Sequence, residues 1–544
     1  MDPLWILVAF ILGFAVNRVG LPPLVGYLIA GFVLQAIGVE GGETLEKIAD
    51  LGVTLLLFSI GLKLRLGSLA KPEIWAGASI HMIVTVIVFG AGTYVLSLAG
   101  FSAFGALDFK LSLMIAFALS FSSTVFAVKV LEERGEMSSL HGRISIGILI
   151  MQDIFAVLFL TFSTGKIPSP WAIALVAGLL IARPLLLAIL SRVGHRELLL
   201  LFSVFLALGL GAGGFEFVGL KPDLGALFVG VLAAGHPKAE EMAKGLLSFK
   251  DLFLVGFFLS IGLAGAPTLQ AIGIGGLLTV GVIFKVVLFF LLLTRFKLRA
   301  RTSLLASFSL ANYSEFGLLV ATTGFKNGWI GSEWLTILAI ALSMTLVLAS
   351  PLNSFAHSIY SRFCERLKPL ETKTRLSEDQ PLDPGDAEIA IFGLGRVGTG
   401  AYDDMRQRHG EVVIGIDFDE KTVQKHLEAG RKVILGDPTD HDFWAKPRQG
   451  RGKIQMVLLT LPEHTANMTA VAQLTEMKFA GSIAATAKFD DEVEELKAAG
   501  VHAVFNLYAE AGYGFAEHVC EALDAKAEGK ELMNSEDGMR NAES

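Results

Sequence analysis

Three ionisable side chains stand in the middle of long apolar stretches of this 544-residue sequence. Asp153 follows Gln152 inside a run of aliphatic residues, Lys285 is flanked by apolar residues on both sides, and Glu315 follows a short polar run. A charged group inside hydrocarbon is costly, so each of the three marks a candidate functional site. For Lys285 and Glu315, an ion pair that only holds helices together stays open as the alternative.

Short polar runs interrupt two other apolar stretches. Ser122, Ser123 and Thr124 form the first run, and Asn312 begins the second, which leads to Glu315. We expect both helices to be broken there, because unwound backbone at membrane depth is tolerated where it lines a cavity, and it frees carbonyls for a cation. Hydroxyl groups that bond back to the preceding turn of an intact helix are the alternative.

Together these residues predict a site that exchanges a small hard cation for a proton. Such a site needs oxygen ligands and one carboxylate that can be protonated, and Asp153 supplies the carboxylate. Gln152 and the carbonyls and hydroxyls of Ser122, Ser123 and Thr124 could complete the oxygen shell. Proton and cation would then compete for a single negative charge.

The composition places these residues in a membrane protein. The chain is 53% hydrophobic and 18% charged, and nearly all its long uncharged runs lie in the first two thirds. We predict about thirteen transmembrane helices. Basic residues recur in alternate loops, which places the soluble C-terminal part in the cytosol. The net charge of −7 sums a part of the chain in the membrane and a part in water, so it indicates little about partners. Nothing in the sequence favours a nucleic-acid partner.

Two short motifs occur twice in the apolar part of the chain. The first pairs Pro23, Gly26, Leu28 and Gly31 with Pro222, Gly225, Leu227 and Gly230; the second pairs residues 58–62 with residues 259–263. The matches join the second predicted span to the ninth and the third to the tenth, so corresponding helices cross in opposite directions. This arrangement is the inverted repeat of secondary transporters. Chance matching of apolar sequence is the alternative.

A dinucleotide-binding pattern follows the apolar part. A strand at residues 388–392 leads into the run Gly393-Leu394-Gly395-Arg396-Val397-Gly398, and a second strand ends in Asp417. Strand, glycines, helix and a carboxylate about twenty positions on form the Rossmann fingerprint. Phosphate would lie at the helix N-terminus, with Asp417 on the ribose hydroxyls. A Rossmann-like fold with an empty pocket is the alternative.

Several of these motifs resemble one transporter family. The pair Gln152-Asp153, the run Ser122 to Thr124 with residues 131–136, and the segment 257–262 resemble the cation:proton antiporter-2 family, and within it the Kef-type potassium efflux systems. The resemblance implies a homodimer in the bacterial inner membrane, whose core domain moves against a dimerisation domain. It implies that Asp153 carries the transported cation and the proton, and that Lys285 pairs with Asp153 when no cation is bound.

The C-terminal part resembles the nucleotide-binding lobe of regulator-of-potassium-conductance domains. That resemblance adds Phe418, Gly436 and Asp437 to the expected nucleoside contacts, and it implies AMP or NAD(H) as a regulatory ligand without a redox role. Lys488 stands where Kef relatives bind glutathione, and we do not predict control by glutathione. Residues 525–544 are polar and are expected to be disordered.

The sequence therefore predicts a polytopic α-helical membrane protein with an inverted repeat, two broken crossing helices and a C-terminal α/β Rossmann-like domain. The expected parts are an exchange domain (1–360), a linker (361–386), a nucleotide-binding domain (387–524) and a tail (525–544). The expected function is antiport of potassium or sodium against protons, not enzymatic catalysis. A nucleotide-gated potassium channel is the alternative, although no filter-like Thr-Val-Gly-Tyr-Gly segment occurs.

Overall fold

The structure is a computed structural model that forms two compact units. It describes residues 3–19, 23–39, 41–63, 69–100, 104, 107–134, 136–137, 139–162, 170–194, 197–220, 222–263, 265, 267–379, 384–436, 454–476, 478–520 and 523. The first unit comprises Met1–Val130 and His141–Asp379, and the second comprises Leu131–Leu140 and Gln380–Ser544.

The first unit is helical. Its helices are α1 (Pro3–Arg18), α2 (Pro23–Ala36), α3 (Glu43–Lys63), α4 (Pro72–Leu98), α5 (Phe109–Ser120), α6 (Thr124–Glu133, which crosses into the second unit), α7 (Leu140–Phe162), α8 (Pro170–Arg192), α9 (Glu197–Val204), a π-helical stretch (Phe205–Gly213), α10 (Gly214–Phe217), α11 (Pro222–Ala233), α12 (Ala239–Leu263), α13 (Leu269–Arg295), α14 (Ala300–Ser309), α15 (Glu315–Lys326), α16 (Ser332–Ser354) and α17 (Ala356–Leu367).

Helix length and composition identify a multi-pass membrane protein. Among the described residues, seven helical segments are long and apolar enough to span a bilayer; two of them, 109–131 and 197–217, each contain more than one of these elements. The helices α1, α2 and part of α12 are shorter and also apolar. The 27-residue helix α4 rises about 40 Å, enough to cross the hydrocarbon core and both interfaces. The expected total of about thirteen spans stays a prediction, because short and interrupted helices do not meet this length criterion.

Local sequence sets where several helices begin. Asp108 caps α5 by accepting from the Leu111 N–H, and Thr268 caps α13 by accepting from the Ala271 N–H. These side chains satisfy donors that have no partner within the first helical turn. Ser314 does the same for α15, so a new helix begins directly after the polar run at residues 312–314.

Four glycines bring the repeated motifs into contact. A Cβ placed on Gly31 of α2 would lie 2.7 Å from the Gly262 Cα of α12, and the reverse distance is also 2.7 Å. A Cβ placed on Gly61 of α3 would lie 2.9 Å from the Gly230 Cα of α11. No side chain fits at such separations, so the backbones touch directly. Each copy of one motif therefore contacts a copy of the other motif through a pair of glycines.

The stretch predicted to be a linker begins inside a helix. Helix α17 continues to Leu367 and buries Tyr360 and Cys364 on one side. Two 3₁₀ turns follow, at Lys368–Leu370 and Ser377–Asp379. The first unit thus extends to Asp379, beyond the predicted end of the exchange domain at residue 360.

The second unit is built on a six-stranded parallel sheet with strand order β3-β2-β1-β4-β5-β6. Its elements are β1 (Ile389–Phe392), α18 (Arg396–His409), β2 (Val413–Asp417), α19 (Glu420–Glu428), β3 (Val433–Leu435), β4 (Met456–Leu459), α20 (His464–Glu476), β5 (Ser482–Ala487), α21 (Asp490–Ala498), β6 (Ala503–Asn506) and α22 (507–520). This is the doubly wound Rossmann order, which places a crevice beyond the carboxyl ends of β1 and β4. The predicted Rossmann-like domain is confirmed; its predicted tail, 525–544, lies outside the described residues.

Candidate functional site

Two helix interruptions meet at the centre of the first unit. Helix α5 ends at Ser120 and α6 begins at Thr124, while α14 ends at Ser309 and α15 begins at Glu315. The intervening segments are joined by buried hydrogen bonds. The Ser122 hydroxyl donates to the Leu310 carbonyl (2.9 Å), and the Ser123 N–H donates to Asn312 Oδ1 (2.6 Å).

The carboxylate of Glu315, which directly follows the second interruption, contacts the first interruption. The Ser123 hydroxyl donates to Glu315 Oε2 at 2.9 Å, and Glu315 is 4% exposed. Helices α15 and α5 pack closely, since a Cβ placed on Gly317 of α15 would lie 2.2 Å from the Ala118 carbonyl oxygen of α5. Non-helical backbone, hydroxyls and a carboxylate therefore share one buried region, as ion sites at interrupted helices require.

Helix α7 places Gln152 and Asp153 against the first interruption. Gln152 Oε1 accepts from the Ser122 N–H at 2.9 Å, which satisfies a donor that the helix break releases. The Thr124 hydroxyl donates to Asp153 Oδ2 at 3.1 Å. The other carboxylate oxygen, Asp153 Oδ1, is buried and has no hydrogen-bond partner among the described residues. A buried acceptor without a hydrogen-bond partner calls for a physical explanation.

Lys285 does not form the expected pair with Asp153. Its ammonium, fully buried, donates instead to the carbonyls of Phe121 (2.7 Å), Asn312 (3.0 Å) and Leu119 (3.3 Å). An ammonium has three donors, and all three are used here by carbonyls next to the two interruptions. The Nζ also lies 5.0 Å from the centre of the Tyr313 ring, within cation–π range.

Hydrogen bonds to one another or to shared neighbours join six of the eight predicted residues of the cation site: Gln152, Ser122, Ser123, Lys285, Asn312 and Glu315. The other two, Thr124 and Asp153, bond to each other and directly follow Ser123 and Gln152 in the sequence. Sequence reasoning missed the carbonyls of Leu119, Phe121 and Leu310, because backbone atoms leave no signal in residue type. It also missed Thr345, whose hydroxyl accepts from the Tyr313 N–H at 3.0 Å.

The glycine-rich turn of the second unit has the geometry expected for a phosphate site. Gly393 has φ +88°, a conformation that favours glycine. A Cβ on Gly398 would lie 1.8 Å from the Gly393 carbonyl oxygen, so only glycine lets α18 pack this closely on β1. The N-terminus of α18 consequently faces the crevice, where its free N–H groups favour an anion.

A cavity of about 470 Å³ opens at this turn. Its lining comprises Gly393, Gly395, Arg396, Val397, Asp417, Phe418, Asp419, Thr422, Thr460, Leu461, Pro462, His464, Asn467, Thr486, Ala487, Lys488, Glu492 and Leu507. Three predicted contacts, Leu394, Gly398 and Gly436, are not in this lining. Leu394 and Gly436 donate backbone hydrogen bonds to Asp417, and Gly398 packs against Gly393. Asp437 lies outside the described residues.

Asp417 is held in place by the backbone around it. Its Oδ2 accepts from the Leu394 N–H at 2.7 Å and its Oδ1 accepts from the Asp419 N–H at 2.8 Å. Burial raises the pKa of the Asp417 carboxyl, and these two backbone hydrogen bonds oppose the rise. The carboxylate is thereby fixed at the cavity wall, where it can accept hydrogen bonds from hydroxyl groups.

Two parts of the chain match known protein families. Residues 6–354 match the family described as sodium/hydrogen exchanger, transmembrane, and residues 389–507 match the TrkA-N domain. The chain is 26% identical over 535 residues to the putative cation/proton antiporter YbaL of Escherichia coli (strain K12), covering 92% of this chain and 93% of that protein.

A second relative and a solved structure are also similar to this chain. The chain is 27% identical over 516 residues to the glutathione-regulated potassium-efflux system protein KefC of Salmonella schwarzengrund (strain CVM19633), covering 89% of this chain and 78% of that protein. The sodium proton antiporter MjNhaP1 from Methanocaldococcus jannaschii is 15% identical with a TM-score of 0.47, covering 65% of this chain and 96% of that one.

Proposed function

Because the chain belongs to the sodium/hydrogen exchanger family, with the resemblance to cation:proton antiporter-2 proteins confirmed, we propose that it exchanges potassium or sodium for protons at Asp153. The observation that carries this proposal is the buried Asp153 Oδ1 beside the first helix interruption, which has no hydrogen-bond partner among the described residues. Cation-driven proton movement in liposomes that contain the full chain tests it.

The geometry suggests how one carboxylate serves both ions. Lys285 already occupies the carbonyls of Leu119, Phe121 and Asn312, so an arriving cation has to use Asp153 Oδ1 and nearby free oxygens. A proton on Asp153 removes the charge that holds the cation. The two ligands therefore exclude each other, which couples cation movement in one direction to proton movement in the other.

The reciprocal glycine contacts support the inverted repeat and alternating access. Gly31 with Gly262, and Gly61 with Gly230, relate the two repeats by the same contact in opposite order. Such repeats place the ion site at their interface, and the interrupted chains α5–α6 and α14–α15 serve as the crossing helices. We place the C-terminal domain in the cytoplasm and the dimeric transporter in the bacterial inner membrane, with potassium as the first cation to test.

The cytosolic cavity would bind an adenine nucleotide, AMP or NAD(H), as a regulator. The glycine-rich turn and the N-terminus of α18 suit its phosphate, and Asp417 suits its ribose hydroxyls. Lys488 lines the same cavity. The residue that stands where Kef relatives bind glutathione would therefore belong to the nucleotide pocket of this chain.

Asp417→Ala should weaken nucleotide binding without abolishing transport. Each hydrogen bond lost between the carboxylate and a ribose hydroxyl should cost on the order of 1.5–3 kcal/mol, since the acceptor is charged. The wild type should bind NADP less tightly than NAD, because the Asp417 carboxylate repels a 2′-phosphate. Calorimetry on the purified full chain measures both effects.

Asp404→Ala is the matched control, because this exposed carboxylate of α18 pairs with Arg408, away from the residues that line the cavity. Affinity equal to wild type is expected for it. Unchanged affinity in Asp417→Ala, or equal binding of NADP and NAD, would show that Asp417 does not contact the ribose.

A further inference from the structure

An acidic segment lies against three helix ends of the first unit. We use the term acidic segment for residues 371–379, which follow α17 and include three carboxylates, Glu371, Glu378 and Asp379, and two basic residues, Lys373 and Arg375. Arg375 pairs with Glu371 inside the segment. Asp379 Oδ2 accepts from the Arg299 N–H at 2.6 Å and its Oδ1 accepts from the Thr302 hydroxyl at 2.8 Å.

These contacts cap α14 from outside. The N-cap residue of α14, Arg299, forms no side-chain cap of its own, and Glu371 Oε1 accepts from the next N–H, that of Ala300, at 2.8 Å. The two carboxylates thus accept from consecutive backbone N–H groups at the N-terminus of α14, where the helix dipole is positive. Asp379 is 5% exposed, so this cap is buried.

The neighbouring carboxylate connects two further helices. Glu378 Oε1 lies 2.6 Å from Lys71 Nζ, next to the start of α4, and its Oε2 lies 3.2 Å from Arg143 Nη2 in the first turn of α7. The backbone of the acidic segment also forms a hydrogen bond to the first unit, since the Leu376 N–H donates to the Lys297 carbonyl at 3.1 Å. Lys71, Arg143 and the N-terminus of α14 therefore form one surface that fits an acidic peptide.

Two of the three helix ends lead directly to the cation site. Helix α7 carries Asp153 ten residues after Arg143, and α14 ends one residue before Leu310, the carbonyl partner of Ser122. In the other direction, the chain passes from Asp379 into the second unit at residue 380. The acidic segment is thus one covalent connection between the nucleotide domain and the helices of the site, the other being residues 131–140.

We infer that the surface of Lys71, Arg143 and the N-terminus of α14 is the docking site through which the nucleotide domain sets the transport rate, with the acidic segment as its ligand. This inference rests on the proposed function. When the segment is docked, it fixes the relative positions of α4, α7 and α14, which limits the movement that alternating access requires. Release of the segment frees these helices.

The test compares exchange rates with and without AMP or NADH in liposomes containing the full chain. For the Glu378→Gln/Asp379→Asn double variant, the ratio of the two rates should fall to one, with nucleotide affinity unchanged. Glu365→Gln is the control, since the contacts of this exposed α17 carboxylate among the described residues are with Lys368 and the neighbouring Cys364. The charge-exchanged pair Lys71→Glu/Glu378→Lys should recover a response that Glu378→Lys alone loses.

Hydrogen exchange of the wild-type protein gives a readout that does not depend on transport. Amides of residues 371–379 should exchange at different rates with and without the nucleotide. A double variant that responds like the wild type, or segment amides that ignore the nucleotide, would overturn the inference. A wild type without any cation-driven proton movement would instead count against the proposed transport function, and hydrogen exchange would then decide on the docking site alone.

Discussion

Asp153→Asn is expected to reduce cation-driven proton movement to the level of protein-free liposomes. Asparagine keeps the shape of the side chain, and its amide oxygen can still accept from the Thr124 hydroxyl, which donates to Asp153 at 3.1 Å in the structure. It has no charge to balance a cation and no acidic proton to release. The variant should therefore fold and assemble normally while losing coupled transport altogether.

Asp108→Asn provides the matched control. Asp108 makes the same kind of acceptor contact at the start of α5, and asparagine is an equally good residue at a helix N-cap. Exchange at the wild-type rate is expected for this control. Coupled exchange by Asp153→Asn at a comparable rate would remove Asp153 from the mechanism.

Lys285→Ala is expected to cause the second large effect, on stability as well as on transport. The substitution leaves the carbonyls of Leu119, Phe121 and Asn312 without the ammonium that now satisfies them. A buried acceptor that loses its partner costs about 1–3 kcal/mol. The apparent melting temperature in detergent should fall and proteolysis should accelerate, because the contact between the two interruptions weakens.

Two further variants distinguish the loss of the Lys285 hydrogen bonds from a general effect of removing a positive charge. Lys110→Ala removes an exposed lysine from the first turn of α5 and should leave the melting temperature unchanged. Lys285→Gln retains two donors and should recover part of the lost stability. If Lys285→Ala melts like the wild type, the ammonium does not hold the interruptions together.

The class of fold could be predicted from the sequence because its signals are local. Apolar runs of spanning length identify the membrane helices, and a strand that leads into Gly393 and Gly395 identifies the Rossmann turn. The repeated glycines could be found as well, since contact between helix backbones excludes every other residue. Each of these features depends on residue type at a fixed spacing.

The partner of Lys285 could not be predicted in the same way. Sequence shows a lysine and an aspartate that would attract each other, but it does not show which carbonyls a helix break sets free. Three such carbonyls meet the ammonium in the structure, and one Asp153 oxygen has no hydrogen-bond partner in the part of the chain that the structure describes. The docking of residues 371–379 was missed for a related reason, since their partners are mainly backbone N–H groups and distant basic side chains.

The most direct test of the central claim records pH inside liposomes that contain the wild-type chain and a trapped pH dye. Potassium or sodium added outside should drive protons out and raise the internal pH, with no proton ionophore present. Asp153→Asn liposomes should show no change. Entry of the cation without any proton movement would contradict antiport and would instead indicate a channel.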